Sequence, residues 1–381
     1  MTNRQRFLAA FKGKAQQVPV WEQAFASDVA SELLGREAFT GSTYLHYQQA
    51  VASLRGEDEY AAFLAQVDED NRDLAQLLGW GALSPTWLSG RPSKQLSEYD
   101  FLYGDEAGWW TLYRFDPTAK TYGPVAYSHR PEWRGEEMLE GTVKAWQRLA
   151  ESFQEEALKG FEEGIQRWIA FCGEELEPVC GMAMLSIPLD QEWLTACAVA
   201  PDLVEALVEA EYQLGLQQLE AAAALGVRIA WGGGDLADNR GPTYGPKLFD
   251  RIVGPRYRGL ADKARELEMI YCFRSDGNLW PVADTLFGDQ GVEGYGEIDH
   301  DAGMTIPELQ QRFPRLTCWG NISCAVLRND SAQQVADAAG ELVERCAPHG
   351  RLILGSSNTV LPGTPVENVL AMTEAAQATW K

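Results

Sequence analysis

The sequence predicts an α/β chain folded as an eight-stranded (β/α)8 TIM barrel, on three observations. From residue 178 onward, strand-like apolar runs and helix-patterned segments alternate six times, as consecutive right-handed βα crossovers require. Val18–Trp21 supplies an earlier strand candidate, and one more hidden before residue 178 brings the count to eight. No strand is followed by the G-x-G-x-x-G turn of a doubly wound dinucleotide-binding sheet, which disfavours the open alternative.

Taken in order, Thr2–Phe11 reads as a helix with Thr2 as N-cap and an apolar stripe of Phe7, Leu8 and Phe11. Residues 25–100 are mostly helical in pattern, and the acidic runs Glu57–Glu59 and Asp68–Asp70 read as solvated helix faces. Leu83–Trp87 and the turn at Gly90-Arg91-Pro92 read as irregular structure. Trp109–Phe115 and Tyr122–Tyr127, aromatic and β-branched, predict an inserted hairpin over about 108–127. Gly135–Gln166 reads as helix.

The repeated units then follow. The strands are Val179–Ile187, Val227–Trp231, Met269–Phe273, Val292–Ile298, Leu316–Trp319 and Arg351–Leu354. The helices are Pro201–Leu225, Pro246–Glu268, Leu279–Phe287, Ile306–Arg312, Ser331–Cys346 and Pro365–Ala378. One domain over residues 1–381 accommodates all of this, with a helical elaboration at about 25–100.

Composition bounds the function. Hydrophobic content of 45% and charged content of 23% describe an ordinary globular chain. A net charge of −23, with no Lys/Arg cluster, argues against nucleic acid and gives no attraction to anionic membranes. No apolar run approaches the roughly 18 residues of a spanning helix, and the N-terminus lacks a secretion signal. Seven cysteines without C-x-x-C pairs read as reduced thiols, so a cytoplasmic location is expected.

In such a barrel the loops after the strands converge on one face. The strand-end residues are Glu22, Asp235, Arg274, Asp276, Asn278, Glu297, His300, Asn321 and Asn358. Arg274, Asp276 and Asn278 alternate, so a locally extended backbone points all three the same way. A guanidinium among carboxylates either binds a substrate carboxylate or forms a structural ion pair. Gly232-Gly233-Gly234 lets backbone approach a ligand, with Asp235 as acid/base, ligand anchor or helix cap. His300, in Asp299-His300-Asp301, reads as a general base or metal ligand, or as an ordinary solvent-facing residue. Asp235, Asp276 and Glu297 form an oxygen set suited to a hard cation, although nothing in the sequence requires one.

Several stretches resemble the uroporphyrinogen decarboxylase superfamily. They are TNRQRFLAAFKGKAQQVPVWE, GGGDLADNRGPTYGPKLF, RSDGNLWPVAD, WGNISCAVL and LILGSSNTVLPGTPVENVLAM. The resemblance implies a (β/α)8 barrel and one of two chemistries, haem-pathway decarboxylation or corrinoid-linked methyl transfer. The decarboxylase carries R-Q-A-G-R after its first strand, where this chain has Trp21-Glu22-Gln23-Ala24-Phe25-Ala26-Ser27 and no arginine. The zinc methyltransferases bind metal with H-x-C and a later Cys, which fall here at Arg274, Asp276 and near Asn358. Arginine offers no lone pair to a metal, so the resemblance implies a branch without the family zinc, and no metal is expected.

The expected function is therefore methyl transfer between a small methylated substrate and a corrinoid protein partner. Asp235 and Asp276 would move protons, Arg274 would orient an anionic group, and Glu22, Asn278, Glu297, His300, Asn321 and Asn358 would bind substrate. The alternatives are decarboxylation of a carboxylate substrate and a catalytically inactive small-molecule binding protein. A homodimer is expected from symmetry statistics and the family resemblance.

Overall fold

Seven parallel strands lie side by side in chain order: Ala82–Leu83, Glu177–Gly181, Ile229–Gly233, Ile270–Arg274, Gly294–Gly296, Thr317–Trp319 and Leu352–Ile353. The computed structural model describes residues 1–128 and 136–377. Beyond the last strand, Val20 bridges Leu354 in parallel, with Trp21 N donating to Leu354 O at 3.1 Å and Leu354 N to Pro19 O at 2.9 Å. Among the described residues no backbone hydrogen bond joins this segment to Ala82–Leu83 at the other edge. The sheet is thus a curled, half-barrel array of seven strands, and the expected closed ring of eight is met only in part.

The strand missing before residue 178 is Ala82–Leu83, at the start of a stretch that reads as irregular. Its two residues are too short to show alternation. The runs at Val179–Ile187, Val292–Ile298, Leu316–Trp319 and Arg351–Leu354 pair over fewer residues than expected, whereas Ile229–Gly233 and Ile270–Arg274 keep the expected five residues, displaced toward the carboxyl end. Val179–Ile187 pairs only to Gly181, and Ala183 already adopts φ 52°.

Helix Asn3–Phe11 begins with the expected Thr2 cap, completed into a capping box by Gln5. Helices Ser27–Leu34, Ser42–Ser53 and Glu57–Leu78 form the N-terminal elaboration. The hairpin is part of a four-stranded antiparallel sheet running Lys94–Gln95, Asp100–Gly104, Trp110–Asp116 and Thr121–Tyr127. Two long predicted helices are interrupted. Glu136–Ser152 and Leu158–Cys172 are separated by a π-turn at Phe153–Ala157, and the expected start at Gly135 lies outside the described residues. Pro246–Leu248 and Gly254–Glu266 flank a second π-turn at Phe249–Val253, next to Pro255, whose ring nitrogen cannot donate to the helical ladder. The last helix is described over Val366–Gln377, and its expected end at Ala378 lies outside the described residues. No helix among those described is long and apolar enough to cross a membrane.

Three indoles fill the interior of the curl. Trp21 stacks on Trp319 with centroids 4.0 Å apart, and Trp231 meets Trp319 at 4.4 Å and Trp21 at 5.6 Å. Each such pair is worth roughly 0.5–1.5 kcal/mol beyond the area it buries. Trp319 Nε1 donates to Trp21 O at 3.0 Å, so the plug also ties the first segment to the sixth strand of the sheet. Gly296 makes room for it, since a Cβ there would lie 2.4 Å from Trp319 Cε3 and 2.6 Å from Trp231 Cη2. Gly296→Ala is therefore expected to destabilise the protein by about 1–3 kcal/mol, seen as a lower urea midpoint at unchanged slope. An unchanged midpoint would mean that the indoles do not fill the curl.

Candidate active site at the carboxyl ends of the strands

The strand after Met269 ends at Arg274, and the chain then turns through Ser275 and Asp276 to Gly277. Gly277 takes φ 83°, where a Cβ would strike Ala237 O at 2.4 Å, so only glycine fits this position. That turn breaks the extended backbone expected from the alternation. Asn278 consequently does not join Arg274 and Asp276; its Oδ1 accepts from Trp280 N at 3.0 Å and opens the next helical turn.

Arg274 and Asp276 belong to one polar network. Arg274 Nη1 lies 3.3 and 3.4 Å from the two oxygens of Glu297, whose side chain is only 4% exposed. Gln23 Nε2 donates to the same carboxylate and, at 3.1 Å, to Asn358 O. Asn358 Nδ2 in turn donates to Asp276 Oδ2 at 2.7 Å. Asp299 holds the neighbouring turn, accepting from Gly277 N and Ala302 N at 3.1 Å each. Asp235 is exposed and makes no hydrogen bond among the described residues, yet its charge reaches both Asp276 and Glu297.

Four acids around one arginine leave the site electrostatically negative. Burial pushes the Asp276 carboxyl up to about 7, helped by the charges of Glu297, Asp299 and Asp235 and opposed by the Asn358 hydrogen bond. Burial also raises Glu297, against the pull of Arg274 and Gln23. Glu297 sits at φ 56°, a left-handed conformation unusual outside glycine and one that gathers at functional sites.

The remaining expected site residues stand apart from this network. Glu22 is buried and committed to Ser356, accepting from its N at 2.7 Å and its Oγ at 2.6 Å. Asn321 donates to Met304 O at 3.0 Å and, with the exposed His300, lines a different cavity of about 420 Å³ beside helix Ala332–Cys346. His300 is exposed, with Nδ1 3.5 Å from Asp301 Oδ1. Gln23 and Asp299 belong to the network but are absent from the residues that sequence reasoning selects. The alternation of Glu297 with Asp299 is the available signal for the second, whereas nothing local marks Gln23. A larger groove of about 740 Å³ lies between helices Glu136–Ser152 and Pro201–Ala224, where Arg256 is already paired with Glu205 and Glu209.

The uroporphyrinogen decarboxylase family model matches residues 191–379, the half of the chain that supplies Asp235, Arg274, Asp276, Glu297 and Asn358. Over those residues the chain carries a uroporphyrinogen decarboxylase family match, in keeping with its resemblance to that superfamily. A methyltransferase from Methanosarcina mazei superposes on 99% of this chain and 98% of its own, at 17% identity and a TM-score of 0.63. At that identity the likeness is one of fold. A putative sugar phosphate isomerase/epimerase from Anabaena variabilis covers 85% of this chain and 84% of its own at 11% identity, with a TM-score of 0.38 too low to carry an argument. No curated protein matches the sequence.

The zinc expected of some superfamily members does not fit these residues. Of the three positions that would hold it, Arg274 faces Glu297 and Asn358 donates to Asp276, leaving one carboxylate as a ligand. Among the described residues no group of three or more His, Cys, Asp or Glu is placed to hold a metal ion, which includes the suggested set of Asp235, Asp276 and Glu297.

Glu22 provides a pH test of the buried frame around this site. Its pKa is raised to about 7 by burial, only partly offset by Ser356. The folded state therefore keeps a proton that the unfolded chain releases near 4.5, and stability falls as pH rises from about 4.5 to 7. Glu22→Gln should remove this contribution, gaining on the wild type by on the order of 2–3 kcal/mol between pH 5 and 8. Urea unfolding at the two pH values measures it, and a constant difference would mean that Glu22 stays ionised.

Proposed function

We propose that this chain is a methyltransferase of the uroporphyrinogen decarboxylase superfamily, acting on a small methylated donor with a corrinoid protein as methyl acceptor. The observation that carries the reading is Asp276, a half-buried carboxyl held near 7 at a strand end, bonded to Asn358 and open on its other side. An acid tuned to this range delivers a proton efficiently at neutral pH. We read the curled sheet as a (β/α)8 barrel whose eighth member is the Val20 segment, in a single domain.

A corrinoid bound on the partner supplies the nucleophile that takes up the methyl group. The work of this chain is to hold the donor and protonate the oxygen or nitrogen that loses it. Asp276 is the proton donor, with Asn358 fixing its geometry. Glu297 holds Arg274, and Gln23 positions Glu297. Asp235, exposed at the rim, adds negative charge that helps to keep the proton on Asp276. With its guanidinium facing Glu297, Arg274 serves this site better as a structural cation than as a clamp for a substrate anion. The acidic surroundings favour a neutral or N-methylated donor and weigh against a porphyrinogen with many carboxylates, which makes decarboxylation the weaker reading.

The test is methyl transfer by the purified protein with a reduced corrinoid and a panel of methoxylated and N-methylated donors, followed by the change in corrinoid absorbance. Asp276→Asn is expected to lower turnover by about 10²-fold or more. Donor binding with no turnover in the wild-type protein would favour a non-catalytic binding protein, and full activity in Asp276→Asn would rule out Asp276 as the proton donor.

A further inference from the structure

Loops on the same face as the acid network enclose a second cavity of about 480 Å³. It lies between helix Ser27–Leu34, the start of helix Ser42–Ser53, the hairpin tip and the loop after the last strand. Its charged lining residues are Asp28, Glu37, Lys120 and Arg328. Glu37 is occupied, accepting from Tyr44 Oη at 2.9 Å. Asp28 is occupied on one side only: Oδ2 accepts from Gly363 N at 2.8 Å, while Oδ1 is buried without a hydrogen-bond partner among the described residues. A buried acceptor left this way costs about 1–3 kcal/mol unless a ligand or water supplies the donor.

Among the described residues, neither Lys120 nor Arg328 forms an ion pair, in a chain whose net charge is −23. Each is carried on a defined segment, Lys120 on the hairpin tip and Arg328 on helix Cys324–Asn329. Asp116 Oδ1 accepts from Thr118 N and Ala119 N at 2.8 and 3.1 Å, and Lys120 follows at φ 53°, which fixes the hairpin tip. Arg328 Nη2 lies 3.9 Å from where a Cβ on Gly363 would stand, so the guanidinium lies close to the residue that Asp28 holds. The side chains of Ser31, Ser42, Thr43 and Thr118 add hydroxyls to the wall.

We propose that this cavity is a binding site for a small anionic polyol, a phosphate or carboxylate carrying neighbouring hydroxyl groups. The anion lies between Arg328 and Lys120, whose charges match either oxyanion. A ligand hydroxyl beyond the anionic group donates to Asp28 Oδ1. The site shares no residue with the acid network, but it lies on the same two segments. Gln23 and Asp28 belong to one, Asn358 and Gly363 to the other, and the Phe25–Val360 bridge joins them.

Isothermal titration of the full-length protein with ribose 5-phosphate, gluconate, ribose and inorganic phosphate tests this. At least one of the two anionic polyols is expected to bind at least 10-fold more tightly than ribose or phosphate. Arg328→Gln combined with Lys120→Gln, both exposed and unpaired, should abolish that preference with the circular dichroism unchanged. Asp28→Asn should bring the anionic polyol down to the level of phosphate. Absence of binding by both anionic polyols at millimolar concentration would overturn the proposal, as would equal binding by the double variant. Phosphate binding as tightly as ribose 5-phosphate, with gluconate no tighter, would overturn the role of Asp28.

Discussion

Packing of Trp21, Trp231 and Trp319 inside the curled sheet is the constraint on which the site depends. Each indole stands near the carboxyl end of its strand segment, and the loops begin just beyond: at Glu22 and Gln23, Gly234 and Asp235, and Gly320 and Asn321. The plug therefore sets the floor of the site. A smaller side chain at any of the three would leave a void inside the curl, and a Cβ at Gly296 would strike two of the rings. The hydrogen bond from Trp319 Nε1 to Trp21 O adds direction to what would otherwise be nonspecific packing. It holds the Val20 segment against the sheet although only one bridge pairs it there.

On that floor the chain places acids where water is scarce. Desolvation is the leading cause of the raised pKa of Asp276, Glu297 and Glu22 alike, and hydrogen bonds and Arg274 only moderate it. The three nevertheless differ in use. Glu22 is closed off by two bonds from Ser356, and Glu297 is held between Arg274 and Gln23. Asp276 has a single side-chain donor and is partly open. Among groups of similar origin, the one with unused capacity is the one that can act on a ligand.

How much of this the sequence reveals follows from length and locality. Long periodic helices such as Pro201–Ala224 and Ala332–Cys346 are legible to within a residue or two. A two-residue strand such as Ala82–Leu83 has no period to read. Arg274 and Asp276 stand out because an apolar run ends on them. Asn278 misleads for a local reason, since a single glycine with positive φ reverses the direction in which the next side chain points. Gln23 escapes notice because its partners, Glu297 and Asn358, lie hundreds of residues away, and a neutral amide carries no signal of its own. The unpaired Lys120 and Arg328 are likewise invisible in one dimension, because lack of a partner is a property of the folded neighbourhood.

The same two segments serve both the acid network and the cavity at the rim, and this limits how independently either can move. From Gln23 to Asp28 and from Asn358 to Gly363 the chain runs parallel, joined by the Phe25–Val360 bridge and the hydrogen bond from Ala26 N to Val360 O at 3.0 Å. At one end Gln23 Nε2 meets Asn358 O; at the other, Asp28 Oδ2 meets Gly363 N. A displacement of one segment along the other would stretch both contacts together. Coupling between sites needs a shared element whose arrangement both ligands bias, and this paired ribbon is the element that the two sites share. A ligand donor that satisfies Asp28 Oδ1 would hold the outer end in register, and so hold in register the amide and carbonyl that set the geometry of Asp276.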